Sequence, residues 1–265
     1  MSSNTAVAQS LTSKNQFDRV APRRLARIAG ILYLTIIISG IFAEFFVRQS
    51  VIVPGDAAAT ASSIVAAESL FRLGIAADLI MIIADVALAL VFYFLFKPVS
   101  NILSLMAAFF RLAQAVVLGI NLLNLFFALQ LLTGAGIQAA FPAAAPPALA
   151  LLFLGAHSTG YALGLMYFGV NRLIVGYLAL KSGYFPRLLG ILVIVAALGY
   201  LLDTFARVLL PNYSDLQPIF DLAVFGPAFI AELSLALWLL FKGVKVGRRD
   251  NSHVLPAPQV EERPA

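Results

Sequence analysis

Leu73-Gly-Ile-Ala-Ala-Asp-Leu-Ile-Met-Ile-Ile-Ala-Asp-Val-Ala-Leu-Ala-Leu-Val-Phe-Tyr-Phe-Leu-Phe96 carries only two charges, Asp78 and Asp85, in a run that is otherwise almost wholly apolar. At about 1.5 Å per residue a helix of this length crosses the roughly 30 Å hydrocarbon core of a bilayer. Comparable stretches at residues 25–47, 102–132, 148–180, 187–202 and 219–241 bring the number of spans to six. The connections are short and marked by turn residues: Pro54, Gly55 and Asp56, then Lys97 and Pro98, then Ser182, Gly183 and Pro186. The fold class expected is therefore all-α, a polytopic transmembrane helical bundle. Hydrophobic residues make up 61% and charged residues 12% of the 265, about half the charge of an ordinary soluble domain.

The spans leave room for one membrane domain, residues 25–245, between a flexible N-terminal tail, 1–24, and a disordered C-terminal tail, 246–265. The alanine-rich stretch after Asp56 reads as an outer amphipathic helix capped by that aspartate and bending at Gly74 into the second span. Thr133 to Pro147, with two glycines, three prolines and no charge, reads as an outer loop. The apolar run from Ile28 to Val47 is too long for a signal-peptide core and lacks a small-x-small cleavage site, so it is expected to be retained as the first span.

Orientation follows from the lysines and arginines. With the N-terminus inside, 13 of the 18 fall on the inner side: Lys14, Arg19, Arg23, Arg24, Arg27, Lys97, Lys181, Arg187, Lys242, Lys245, Arg248, Arg249 and Arg263. Arg48, Arg72 and Arg207 fall outside, in company with Asp203, Asp215 and Asp221, and Arg111 and Arg172 lie within spans. Both termini are expected to be cytoplasmic. The net charge of +5 sits at helix ends rather than on a basic face, which speaks against a nucleic-acid partner.

Ionisable groups at bilayer depth are costly and ask for a partner or a purpose. Asp85 lies 12 residues before Lys97 and Arg111 lies 10 after Asn101, so both reach mid-depth and can pair across the tight turn. Asp78 shares the face of Asp85 one heptad earlier, at the depth of His157, which suggests a second pair. Arg172 and Glu232 stand at matching distances from Lys181 and Lys242 and form a third. Gln114, Asn121 and Asn124 extend a polar stripe from Arg111 along the third span, which should face the bundle interior. Asp78, Asp85, Arg111, Gln114, Asn121, His157, Arg172 and Glu232 are thus the candidate intramembrane polar site. Three carboxylates against two arginines leave one negative charge unmatched, which invites a proton or cation. Tyr33, Trp238 and the other edge aromatics read as interface anchors, and Ala156, Gly160 and Gly164 form a small-xxx-small packing face.

No nucleophile elbow, zinc-protease helix, phosphate-binding loop or dinucleotide turn is present. With no cysteine and two histidines, no metal site, cofactor or disulfide framework is expected. A weak parallel repeat links Ala84-Asp-Val-Ala-Leu-Ala-Leu90 with Ala231-Glu-Leu-Ser-Leu-Ala-Leu237, and Arg24 to Leu32 with Arg187 to Leu192.

Phe168-Gly-Val-Asn-Arg-Leu-Ile-Val-Gly-Tyr-Leu-Ala-Leu-Lys-Ser-Gly-Tyr-Phe-Pro-Arg-Leu-Leu-Gly190 and Ala231-Glu-Leu-Ser-Leu-Ala-Leu-Trp-Leu-Leu-Phe-Lys-Gly243 resemble the bacterial membrane family catalogued as domain of unknown function 4386. The resemblance runs from about Arg23 to Lys245. It implies a multi-pass protein of the bacterial inner membrane, and it supplies no activity and no catalytic residues. That family often carries a histidine where this chain has Asn171, so no role for that histidine transfers.

Three readings of function follow. The first is a membrane protein that binds or passes a small solute, proton or cation through its polar core. The second is a non-catalytic scaffold or partner protein, and the third an embedded enzyme using His157 and Asp78 on a lipidic substrate. The lipid bilayer is the one partner the sequence names. The oligomeric state is left open.

Overall fold

The computed structural model describes residues 22–244. The C-terminal tail, most of the N-terminal tail, and Lys14, Arg19, Lys245, Arg248, Arg249 and Arg263 lie outside them. Among the described residues there is no strand, and six helices are long and apolar enough to cross a membrane. These are α1 (Pro22–Val51), α3 (Glu68–Phe96), α4 (Asn101–Thr133), α6 (Ala145–Ser182), α7 (Arg187–Leu209) and α8 (Tyr213–Lys242). Two short helices, α2 (Ala57–Ala66) and α5 (Ala135–Ala139), sit in the connections.

Local chemistry sets the boundaries. Pro22 stands at the first position of α1 and Pro146 and Pro147 in the first turn of α6, where a missing N–H costs nothing. The Asp56 carboxylate accepts from Ala59 N at 2.9 Å to cap α2, and Ser100 Oγ accepts from Leu103 N at 3.3 Å to cap α4. Gly183, at φ +64°, ends α6 in the left-handed conformation that suits glycine.

Four features differ from the sequence reading. The helix after Asp56 breaks at Ala67, not Gly74, and Gly74 lies inside α3. A Cβ there would stand 2.8 Å from the Val47 side chain, so this glycine permits the close crossing of α1 and α3 rather than a bend. The stretch 133–147 holds a short helix and the start of α6 in place of a plain loop. Third, α7 continues past 202 to Leu209 and α8 begins at Tyr213, so Asp203, Asp215 and Asp221 are helical. Finally, α1 extends to Val51 through a wide π turn at Phe42–Arg48, which carries Arg48 into the bundle.

The six long helices form a ring in chain order: α1 packs on α3, α3 on α4, α4 on α6, α6 on α7, α7 on α8, and α8 returns to α1. Gly30 makes the closure, because a Cβ at that position would lie 2.6 Å from Leu240 N. Both ends of the described chain therefore lie at one end of the ring. There the core holds Tyr33, Leu88, Phe92, Leu178 and Leu239; toward the other end it holds Val47, Phe71, Leu125, Leu129 and Leu154, with Ile64 of α2 packed among them. Large apolar side chains such as Ile83, Ile102, Ile120 and Leu222 point outward, as expected where hydrocarbon is the solvent.

Candidate functional site

Arginine is the organising residue of the ring's interior. Arg111 on α4 is fully buried, and its Nη2 donates to Asp85 Oδ1 on α3. Gln114, one turn on from Arg111, donates to the other oxygen of Asp85 at 3.3 Å. The Arg111 guanidinium lies 5.6 Å from the ring centre of Tyr33 and 5.4 Å from that of Phe168, while its Nε and Nη1 meet no acceptor.

Arg172 on α6 is equally buried. Its Nη1 donates to the Tyr33 hydroxyl at 2.9 Å and stands 3.7 Å from Glu232 Oε2 on α8, an ionic contact longer than a hydrogen bond. Its guanidinium stacks 4.7 Å from the Phe168 ring and 5.2 Å from Tyr33, so both arginines share the same two aromatic rings. Arg172 Nε and Nη2 and both Glu232 oxygens lack hydrogen-bond partners. The neighbouring Asn171 donates to the Ala107 carbonyl at 2.6 Å, tying α6 to α4, and its own Oδ1 is unpartnered.

Asp78 is claimed by a residue that hydropathy placed outside the membrane. Arg48 Nη1 meets Asp78 Oδ2 at 2.6 Å, and Arg48 Nε meets Glu44 Oε2 at 2.7 Å. The expected pairing of Asp78 with His157 is not formed. His157 instead accepts through its backbone carbonyl from Asn121 Nδ2 at 2.9 Å, and its ring makes no hydrogen bond among the described residues. Asp78, His157, Asn121 and Tyr161 surround one narrow gap too small for a water molecule. Asp78, Asp85 and Glu232 are thus matched by Arg48, Arg111 and Arg172, and the unmatched negative charge inferred from the sequence does not arise.

All eight candidate residues are buried, and the structure distributes them over three neighbouring groups. Sequence reasoning missed Arg48, Tyr33 and Phe168. Tyr33 was read as an interface anchor; it is 1% exposed and binds Arg172. Its position 11 residues into α1 is mid-depth, the signal that could have placed it inside. Asp203, expected in a loop, is buried and held by Arg207 Nε at 3.1 Å and the Tyr213 hydroxyl at 2.5 Å.

Of the small face of α6 the two glycines are spent within the molecule, while Ala156 is exposed. A Cβ on Gly160 would fall 2.1 Å from Asn121 Oδ1, and one on Gly164 would fall 2.7 Å from the Leu118 side chain, so these glycines admit α4. Among the described residues no group of three His, Asp or Glu side chains is placed to hold a metal ion.

A buried polar atom without a partner costs about 1–3 kcal/mol, and more when the group is charged. The four free guanidinium nitrogens and two free Glu232 oxygens around Tyr33 and Phe168 therefore form the least satisfied part of the described interior. Chemically they can accept or release a proton at Glu232 and donate hydrogen bonds from two fixed cations.

A family model described as "Domain of unknown function (DUF4386)" matches residues 28–243. A relative described as "Uncharacterized protein", from Archaeoglobus fulgidus, is 28% identical over 167 residues, which span 63% of this chain and 82% of the relative. No solved structure matches the chain.

Proposed function

Starting from a chain that belongs to the DUF4386 family and carries six membrane-length helices, we propose that its interior binds and passes a proton or another small polar species. The supporting observation is the unsatisfied cluster of Arg111, Arg172 and Glu232 behind the Tyr33 and Phe168 rings. A proton suits it best, because Arg172 is 0% and Glu232 6% exposed and a proton needs no cavity. A small cation or polar solute is the next candidate at the same groups. Asp85 and Gln114 adjoin this cluster, and one heptad along α3 Asp78 holds a second polar group with Arg48 and the half-exposed Glu44. The basic asymmetry of the sequence supports an inner-membrane protein with both termini cytoplasmic.

The scaffold reading draws less support, since the glycine face that would have served a partner helix is occupied by α4. The enzyme reading loses its dyad, since Asp78 is bound to Arg48. The test is proton flux into liposomes with a trapped pH dye under an imposed gradient. Wild-type protein should dissipate the gradient faster than empty liposomes, and Glu232→Gln should abolish the excess while leaving the protein monodisperse. Equal rates for wild type, variant and empty liposomes would sink the proton reading.

A further inference from the structure

A second polar feature opens on the outer surface of the ring, adjoining the Asp78–His157 group through Asn121. Between α4 and α6 a cleft of about 550 Å³ opens laterally, walled by Leu123, Phe127 and Leu163 and floored by Asn121, Asn124, Thr159 and Gly160. Its volume lies within the range of small-ligand sites, and its lining follows their pattern of apolar walls around a few polar groups. Leu123, Phe127, Thr159 and Leu163 are exposed, so the cleft faces the hydrocarbon. Counted from the midpoint of α4, Asn121 and Asn124 stand about 6 and 10 Å toward the end of the ring that carries α2, still within bilayer depth.

An asparagine facing lipid at that depth is costly. Asn124 Nδ2 donates to Asn121 Oδ1 at 3.0 Å, and Asn121 Nδ2 donates to the His157 carbonyl, so the buried amide is satisfied. The Asn124 carbonyl oxygen accepts nothing among the described residues, and the Thr159 hydroxyl, which donates to the Gly155 carbonyl at 3.1 Å, keeps its lone pairs. The cleft therefore offers these acceptors together with the second N–H of the Asn124 amide, and no charge. The complement is an apolar chain bearing a neutral hydroxyl or amide, which can donate to Asn124 Oδ1 and accept from its free N–H.

We infer that this cleft is a lateral binding site for a neutral single-chain amphiphile, its alkyl chain along Leu123 and Phe127 and its hydroxyl or amide N–H on Asn124. A charged headgroup would find no counter-charge in the lining. A partner helix would need a seam along most of a span, whereas the lining covers only residues 117–127 and 156–163, about 10–15 Å.

The test uses the full-length protein in phospholipid nanodiscs with a long-chain alcohol bearing a mid-chain diazirine, the adducts being mapped by mass spectrometry. Labelling should concentrate on residues 117–127 and 156–163 and be competed by unlabelled alcohol but not by the matching alkane. Asn124→Leu should lower it several-fold, and Thr159→Leu, at an exposed position chosen to spare the fold, should block it. Labelling spread evenly over the outer faces of all six long helices, or unchanged by both substitutions, would overturn the assignment. The chain has no cysteine, so Thr159→Cys reports a second copy directly: an oxidised dimer through this position would replace the amphiphile with a protein partner.

Discussion

Removing the charge of Asp85 should cost this protein a large part of its stability. Arg111 is fully buried, and of its three nitrogens only Nη2 has a protein acceptor, which is Asp85. Asp85→Asn keeps the shape and deletes the charge, leaving a buried guanidinium with no other ion pair among the described residues. Stripping one partner from a buried pair costs roughly 3–5 kcal/mol. For a chain of this size that corresponds to a fall in melting temperature on the order of 10 °C. Arg111→Gln should cost a similar amount, because Asp85 would keep only Gln114, at 3.3 Å. The double variant holds neither charge and should recover a coupling of about 2–3 kcal/mol relative to the sum of the singles. Temperature scans in detergent, read by the fluorescence of the single tryptophan, Trp238, and by monodispersity, give all four values. Single variants melting within about 2 °C of wild type would refute the argument that the pair holds α3 to α4. A double variant as unstable as the sum of the singles would refute the coupling.

Asp78→Asn should be milder than Asp85→Asn, because Arg48 retains Glu44 at 2.7 Å; the same scans check the order, and a larger loss at Asp78 would contradict it. Gly30→Ala should destabilise by about 1–3 kcal/mol or more, since its Cβ meets the Leu240 backbone at 2.6 Å and neither helix can yield locally. Gly155→Ala, with nothing within 4 Å, should be neutral or gain up to about 1 kcal/mol from helix propensity. Equal effects at the two glycines, read from melting temperatures, would show that α1 and α8 do not close as described.

The pairs that depend on depth alone were legible in the sequence. Asp85 and Arg111 sit at similar distances from one tight turn, and Arg172 and Glu232 at similar distances from Lys181 and Lys242. Residues near the apparent edge of a span were not legible, because hydropathy stops at the first charge. Arg48 follows Val47 at such an edge, yet the π turn carries it inward to Asp78. Asp203 follows Leu202 in the same way, and nothing local announces that Arg207 and Tyr213 turn back to receive it. Gly74 was misread for a different reason. Glycine signals both bends and close crossings, and only the position of Val47 decides between them.

The ring imposes an order on biosynthesis. Asp85 is only 26 residues ahead of Arg111, so the hairpin of α3 and α4 can enter the membrane with its charges already paired. Arg172 has no such neighbour. Its carboxylate partner, Glu232, is 60 residues further on in the last long helix. At a synthesis rate of roughly 5–20 residues per second, α6 exists for about 3–12 seconds before Glu232 is made. During that interval Tyr33, made far earlier, is the polar group available to receive the guanidinium. The hydroxyl of Tyr33 can thus hold Arg172 during assembly as well as in the finished protein.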